Sequence, residues 1–176
     1  MADVETTRDL LMMALQDLHD GECAMAERLA TVRGHCADDD LHALLGRDET
    51  RSAQQRDAFA AMLRSFDEGT GDQPNIWLRA VLDDADNDAD TIARGPLRDI
   101  ALVGALRKGK QSQRVSYKTA IALARVLGLD ETEAALTRMA EHAETTDTAL
   151  AEVLARLSAG LQADGGIVQR GGQPGR

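Results

Sequence analysis

Several side chains that can ligate a metal or hold a proton stand where helical patterning calls for apolar groups. Glu22 falls between Leu18 and Met25, and Asp48, Glu49, Ser52 and Gln55 fall between Leu45 and Phe59. Lys110 and Gln113 interrupt the stretch from Leu106 to Tyr117, while Glu141 and His142 stand beside Ala143. A carboxylate carried into an apolar interior is costly unless it is paired or ligates a metal. Two chemistries satisfy that condition here. Glu22, Glu49, Glu141 and His142 can act as metal ligands, or the Lys110 ammonium can neutralise Glu22 with Asp48 or Glu49. His19, His35 and His42 have no ligand spacing to one another. Cys23 adjoins Glu22, and a neighbouring carboxylate raises a thiol pKa, so Cys23 reads as a packed residue rather than a redox thiol.

The elements that must position these groups are helices. Apolar residues make up 43% of the chain but aromatics only 2%, which leaves little material for sheet. Leu11, Leu15, Leu18, Met25 and Leu29 form one helical stripe, predicting a helix over residues 5–33 that stops at Gly34. Leu41, Leu45, Phe59, Met62, Leu63 and Phe66 form a second, ending near Asp67 before the turn-forming EGTGDQP. A short helix after Pro74 is expected to carry Ile76, Trp77, Leu78, Val81 and Leu82. The acidic DDADNDAD that follows lacks the glycine and terminal glutamate of a calcium loop and reads as a solvated face or loop. Gly95-Pro96 opens a third long helix along Ile100, Val103, Leu106, Tyr117, Ile121 and Ala124, closed by Gly128. Asp130 and Glu133 are placed to cap a fourth, lined by Leu136, Met139, Ala143, Leu150, Val153, Leu154 and Leu157.

Four long helices and a short one predict an all-α antiparallel four-helix bundle, with the short helix in the crossover between the second and third long helices. The bundle is expected over residues 1–160, with a disordered Gly-rich tail over 161–176. All four polar interruptions fall near mid-helix, so packing brings them to one level. The net charge of −10 argues against a nucleic-acid binder, although residues 98–125 hold seven basic side chains against Asp99 alone. That basic helix suggests complementary contacts within the bundle or across a dimer. No run approaches the roughly 18 apolar residues of a membrane span. MADVETTRDL lacks the pattern of a secretory signal, and two cysteines are too few for a disulfide framework, so a cytoplasmic protein is expected.

These segments resemble the YciE/YciF-like ferritin-like family, bacterial four-helix bundles linked to stress responses. The resemblance covers residues 8–157 and is strongest in GPLRDIALVGALRK (95–108) and SYKTAIALARVLGLDETEAAL (116–136). It implies a ferritin-like bundle, a homodimer and a di-metal site of iron or manganese. Carried over residue by residue, Glu22 matches the carboxylate of the first helix and Glu49 that of the second, whereas the His or Gln expected four residues on falls on Ala53. Where the family has Glu-His-Tyr-Glu this chain has Lys110, Gln111, Ser112 and Gln113. Glu141 keeps a carboxylate followed by His142-Ala143, and Arg79 stands where the family has a Glu. The departures favour a non-enzymatic, structural or partner-binding bundle without a cofactor. The alternative is a di-iron or manganese oxidoreductase with a reduced ligand set.

Overall fold

The computed structural model describes residues 4–161 as five helices. Helix α1 (Thr7–His35) opens with a capping box, the Thr6 hydroxyl accepting from the Asp9 amide while the Asp9 carboxylate accepts from the Thr6 amide. It runs through Gly34 rather than stopping there. Helix α2 (Asp39–Ser65) follows after three residues, capped by Asp38. Its far end closes in a Schellman turn around Asp67, with φ +60°; the Glu68 amide returns to the Leu63 carbonyl at 3.0 Å.

Helix α3 (Ile76–Thr91) lies in the crossover. The acidic run is part of this helix, with three of its five charges met: Arg28 binds Asp83 and Asp86, and Lys108 binds Asp84. Ile76 and Trp77 do not join the core; they are 70% and 74% exposed. The Asn75 cap turns α3 so that Leu78, Leu82, Ala85 and Ala89 face inward instead. Leu78 seats over two glycines, because a Cβ at Gly21 would lie 3.2 Å from it and one at Gly109 3.0 Å.

Helix α4 (Pro96–Val126) begins with proline in its first turn, and α5 (Asp130–Gly160) follows a tight turn at Gly128, with φ +67°. That turn is also a Schellman motif, with the Leu129 amide bonded to the Ala124 carbonyl at 3.0 Å. The expected capping pair does not form. The turn is so short that Asp130 already lies inside α5, Leu129 takes the cap position without a side-chain bond, and Glu133 instead accepts from Arg125.

The apolar interior divides into two clusters. One gathers the start of α1 and the end of α2 with the end of α4 and the start of α5, around Leu15, Phe59, Tyr117 and Leu136. The other gathers the opposite ends with α3, around Leu29, Leu45, Leu82, Leu106 and Leu150. This pairing sets α1 and α5 parallel to each other and antiparallel to α2 and α4. The single long crossover between α2 and α4 makes the bundle ferritin-like. The tail expected to be disordered lies outside the described residues except for Leu161.

Candidate functional site

Between the two apolar clusters lies a buried polar layer to which all four long helices contribute. From α2 come Asp48, Ser52 and Gln55, spaced four and three so that they share a face. From α4 come Lys110, Gln113 and Tyr117 at spacings of three and four, from α1 Glu22, and from α5 Thr146 and Asp147. These elements turn polar groups inward because the apolar stripes above and below leave no other face for them.

Lys110 Nζ sits 2.8 Å from Asp48 Oδ2, with both side chains 4% exposed. Thr146 Oγ1 donates to the other Asp48 oxygen at a long 3.5 Å. Glu22 Oε1 accepts from Gln113 Nε2 at 2.9 Å and from the Tyr117 hydroxyl at 2.8 Å. The Tyr117 ring stacks near Phe59, with centroids 6.0 Å apart. Three buried atoms here lack a hydrogen-bond partner: Glu22 Oε2, Ser52 Oγ and Gln113 Oε1.

Burial pushes the Glu22 carboxyl pKa up, and Asp48 adds to the rise; Lys110, Tyr117 and the nearby Ser52 hydroxyl oppose it. With one ammonium facing two carboxyl groups, a proton on Glu22 leaves the layer electrically balanced. Placed on Oε2, that proton turns an orphaned acceptor into a donor beside Ser52 Oγ, although the hydroxyl forms no well-shaped bond there. The Tyr117 hydroxyl is held neutral, its pKa driven well above 10.0 by burial and then by Glu22.

The candidate ligands do not gather. Glu49 is half-buried at the bundle surface, with Oε2 3.5 Å from Arg33. Glu141 and His142 are exposed, and His142 Nδ1 receives Gln55 Nε2 at 3.2 Å. Burial and the Arg51 charge lower the His142 pKa. Arg79 binds Asp20 through two bonds of 2.9 and 2.6 Å. Of the four candidate metal ligands only Glu22 reaches the layer; Lys110 is there with Asp48, Ser52, Gln55 and Gln113, and of the two carboxylates offered on α2 it is Asp48, not Glu49, that meets the ammonium. A metal pair needs converging lone pairs, whereas Glu22 faces N–H and O–H donors and Asp48 faces an ammonium. The residues present therefore do not fit a di-metal centre. Among the described residues no three of His, Cys, Asp and Glu come together as a metal site.

Sequence reasoning missed Asp147 and Thr146, which lie midway between Ala143 and Leu150 on the same stripe; that spacing was the available signal. Asp147 is buried and accepts from Arg107 Nε at 2.7 Å, with Arg114 3.8 Å from its other oxygen. Asp99 was missed as well. It is buried beneath the α1–α2 connection and accepts the Ala37 and Asp38 amides at 3.0 and 2.9 Å. Much of the basic charge on α4 is answered within the bundle, Arg107, Lys108, Lys110, Arg114 and Arg125 each meeting a carboxylate. Cys23 lies 3.8 Å from the His19 ring nitrogens, and burial followed by Asp20 and Glu27 pushes its thiol pKa up, the wrong direction for a nucleophile.

Comparison with known proteins places this architecture. A family model described as a domain of unknown function, DUF892, matches residues 6–161. The stress protein YciF of Escherichia coli superposes with a TM-score of 0.85 at 18% identity, covering 90% of this chain and all of YciF. YcfI of Rhodopseudomonas palustris, provisionally described as a structural protein, superposes with a TM-score of 0.80 at 22% identity, over 85% of this chain and 96% of its own. At such identities the likeness speaks for the fold. No curated protein matches the sequence.

Proposed function

We propose, since the chain belongs to the DUF892 family, that it is a non-enzymatic, stress-associated bundle whose di-metal centre has given way to a hydrogen-bonded ion-pair layer. The observation that carries this reading is the Lys110 ammonium held 2.8 Å from Asp48. Its positive charge does for the buried carboxylates what metal ions would otherwise do, and Glu22 balances the remainder by keeping its proton. Such a layer holds charge in place without calling for a metal ion. The descriptions of the two structural relatives, one a stress protein and one a structural protein, support the role without defining its partner.

In the same reading the protein acts in the cytoplasm as a homodimer, with room for a further protein partner. Its two cysteines are unpaired, and burial pushes the Cys36 thiol up to about 12, which suits a reducing compartment. Sedimentation equilibrium tests the dimer.

The chemical half of the proposal is tested by Fe(II) oxidation under oxygen or peroxide. Oxidation no faster than in buffer is the expected result. Acceleration by the wild type that disappears in Glu22→Ala would overturn it in favour of an oxidoreductase with a reduced ligand set.

A further inference from the structure

We propose that the open groove between the end of α1 and the first half of α2 binds a soluble phosphate-bearing small molecule, independently of the buried layer. The groove, of about 410 Å³, is lined by Arg33, His42, Gly46, Arg47, Thr50 and Arg51 among others. On α2, His42, Gly46 and Thr50 lie four residues apart along one ridge, and Arg47 and Arg51 lie four apart on the next. Gly46 leaves a gap in the first ridge. The Arg33 guanidinium from α1 occupies it so closely that a Cβ at position 46 would stand 2.6 Å from Nη1. Three guanidiniums are thus gathered around one hollow.

Two of the three charges, those of Arg47 and Arg51, meet no carboxylate although the chain carries a net charge of −10. Arg8, Arg28, Arg79, Arg107, Arg125 and Arg156 each pair with a carboxylate. Among the described residues Arg47 and Arg51 make neither an ion pair nor a side-chain hydrogen bond. Arg33 has one acidic neighbour, Glu49, at 3.5 Å, and Glu49 Oε2 accepts no hydrogen bond from it. Asp40 and Glu152 line the adjoining groove beyond Arg47, where Asp40 lies 3.4 Å from Arg156. Like charges lining one groove repel, and a multiply charged anion bound there relieves that repulsion. Guanidinium forks match phosphate oxygens in pairs. Three positive charges suit a phosphomonoester or pyrophosphate better than a single carboxylate, while His42 supplies a further donor at the edge.

The test is isothermal titration calorimetry of the full chain with inorganic pyrophosphate at low salt, alongside flotation with phosphatidic-acid vesicles. Saturable uptake of pyrophosphate is expected, weakened by roughly tenfold or more in Arg47→Ala/Arg51→Ala and by added salt. The unfolding midpoint of the double variant should remain that of the wild type, because neither arginine holds a partner in the fold. Absence of saturable binding would overturn the proposal. So would equal binding by the double variant, or capture by vesicles without uptake of free pyrophosphate.

Discussion

Lys110 Nζ lies 2.8 Å from Asp48 Oδ2, at the level where the two halves of the apolar core separate. A pair so fully withdrawn from water is held in place more than it is a source of stability, because desolvation offsets most of its attraction. Breaking it should therefore be far worse than deleting it. Lys110→Ala is expected to lose ~3–5 kcal/mol of unfolding free energy by stranding Asp48, whereas Lys110→Met/Asp48→Leu should cost little or even stabilise. Urea unfolding of both variants checks the contrast; a wild-type midpoint in Lys110→Ala would remove the pair from the account.

Glu22 makes a second prediction, about pH. Its folded pKa is raised above the ordinary 4.5, burial being the chief cause. Between those two values the folded chain keeps a proton that the unfolded chain has lost. Its stabilising contribution is thus complete below about pH 4.5 and falls as pH rises, by at most ~1.4 kcal/mol per pH unit. Glu22→Gln copies the neutral acid and does not titrate. Its stability relative to wild type should improve as pH rises above about 4.5, and a pH-independent difference would contradict a raised Glu22 pKa.

Tyr117 is the only tyrosine, which makes its ionisation directly visible. Burial and then Glu22 hold its pKa well above 10.0, so the folded state resists deprotonation. Tyrosinate absorbance should stay silent through pH 10 and rise together with loss of helical circular dichroism. Its raised folded pKa means stability is lost as pH climbs past the unfolded value. A reversible tyrosinate signal from a fully helical protein near pH 10 would count against the buried bond to Glu22.

Asp99 ties the start of α4 to the α1–α2 connection through two backbone amides. Asp99→Ala strands both donors and should cost ~2–4 kcal/mol, while Asp99→Asn should recover part of that through one remaining acceptor. Thermal unfolding distinguishes the three proteins; equal midpoints would show that the amides find other partners.

The helices were legible because each long one carries a stripe that repeats every three or four residues over several turns. Their ends were less so, since Gly34 lacked a turn that needed it, and Asp130 lay one residue too far along to cap. The polar layer was legible as a place but not as a membership. On α2 both Asp48 and Glu49 continue the stripe from Leu45, and only packing decides that Asp48 faces inward while Glu49 faces Arg33. On α5 the eye is drawn to Glu141 and His142 by their chemistry, yet the period from Ala143 to Leu150 passes through Thr146 and Asp147. Tyr117 looked like an ordinary core aromatic, because nothing in one helix announces that its hydroxyl meets Glu22 across the bundle.

In the proposed reading an ammonium and a protonated acid serve where a metal pair would. Metal content per chain, after anaerobic loading with Fe(II) or Mn(II) and desalting, tests it most directly. A value far below one ion per chain, unchanged in Glu22→Ala, is expected. One or two tightly held ions per chain, lost in Glu22→Ala, would contradict it.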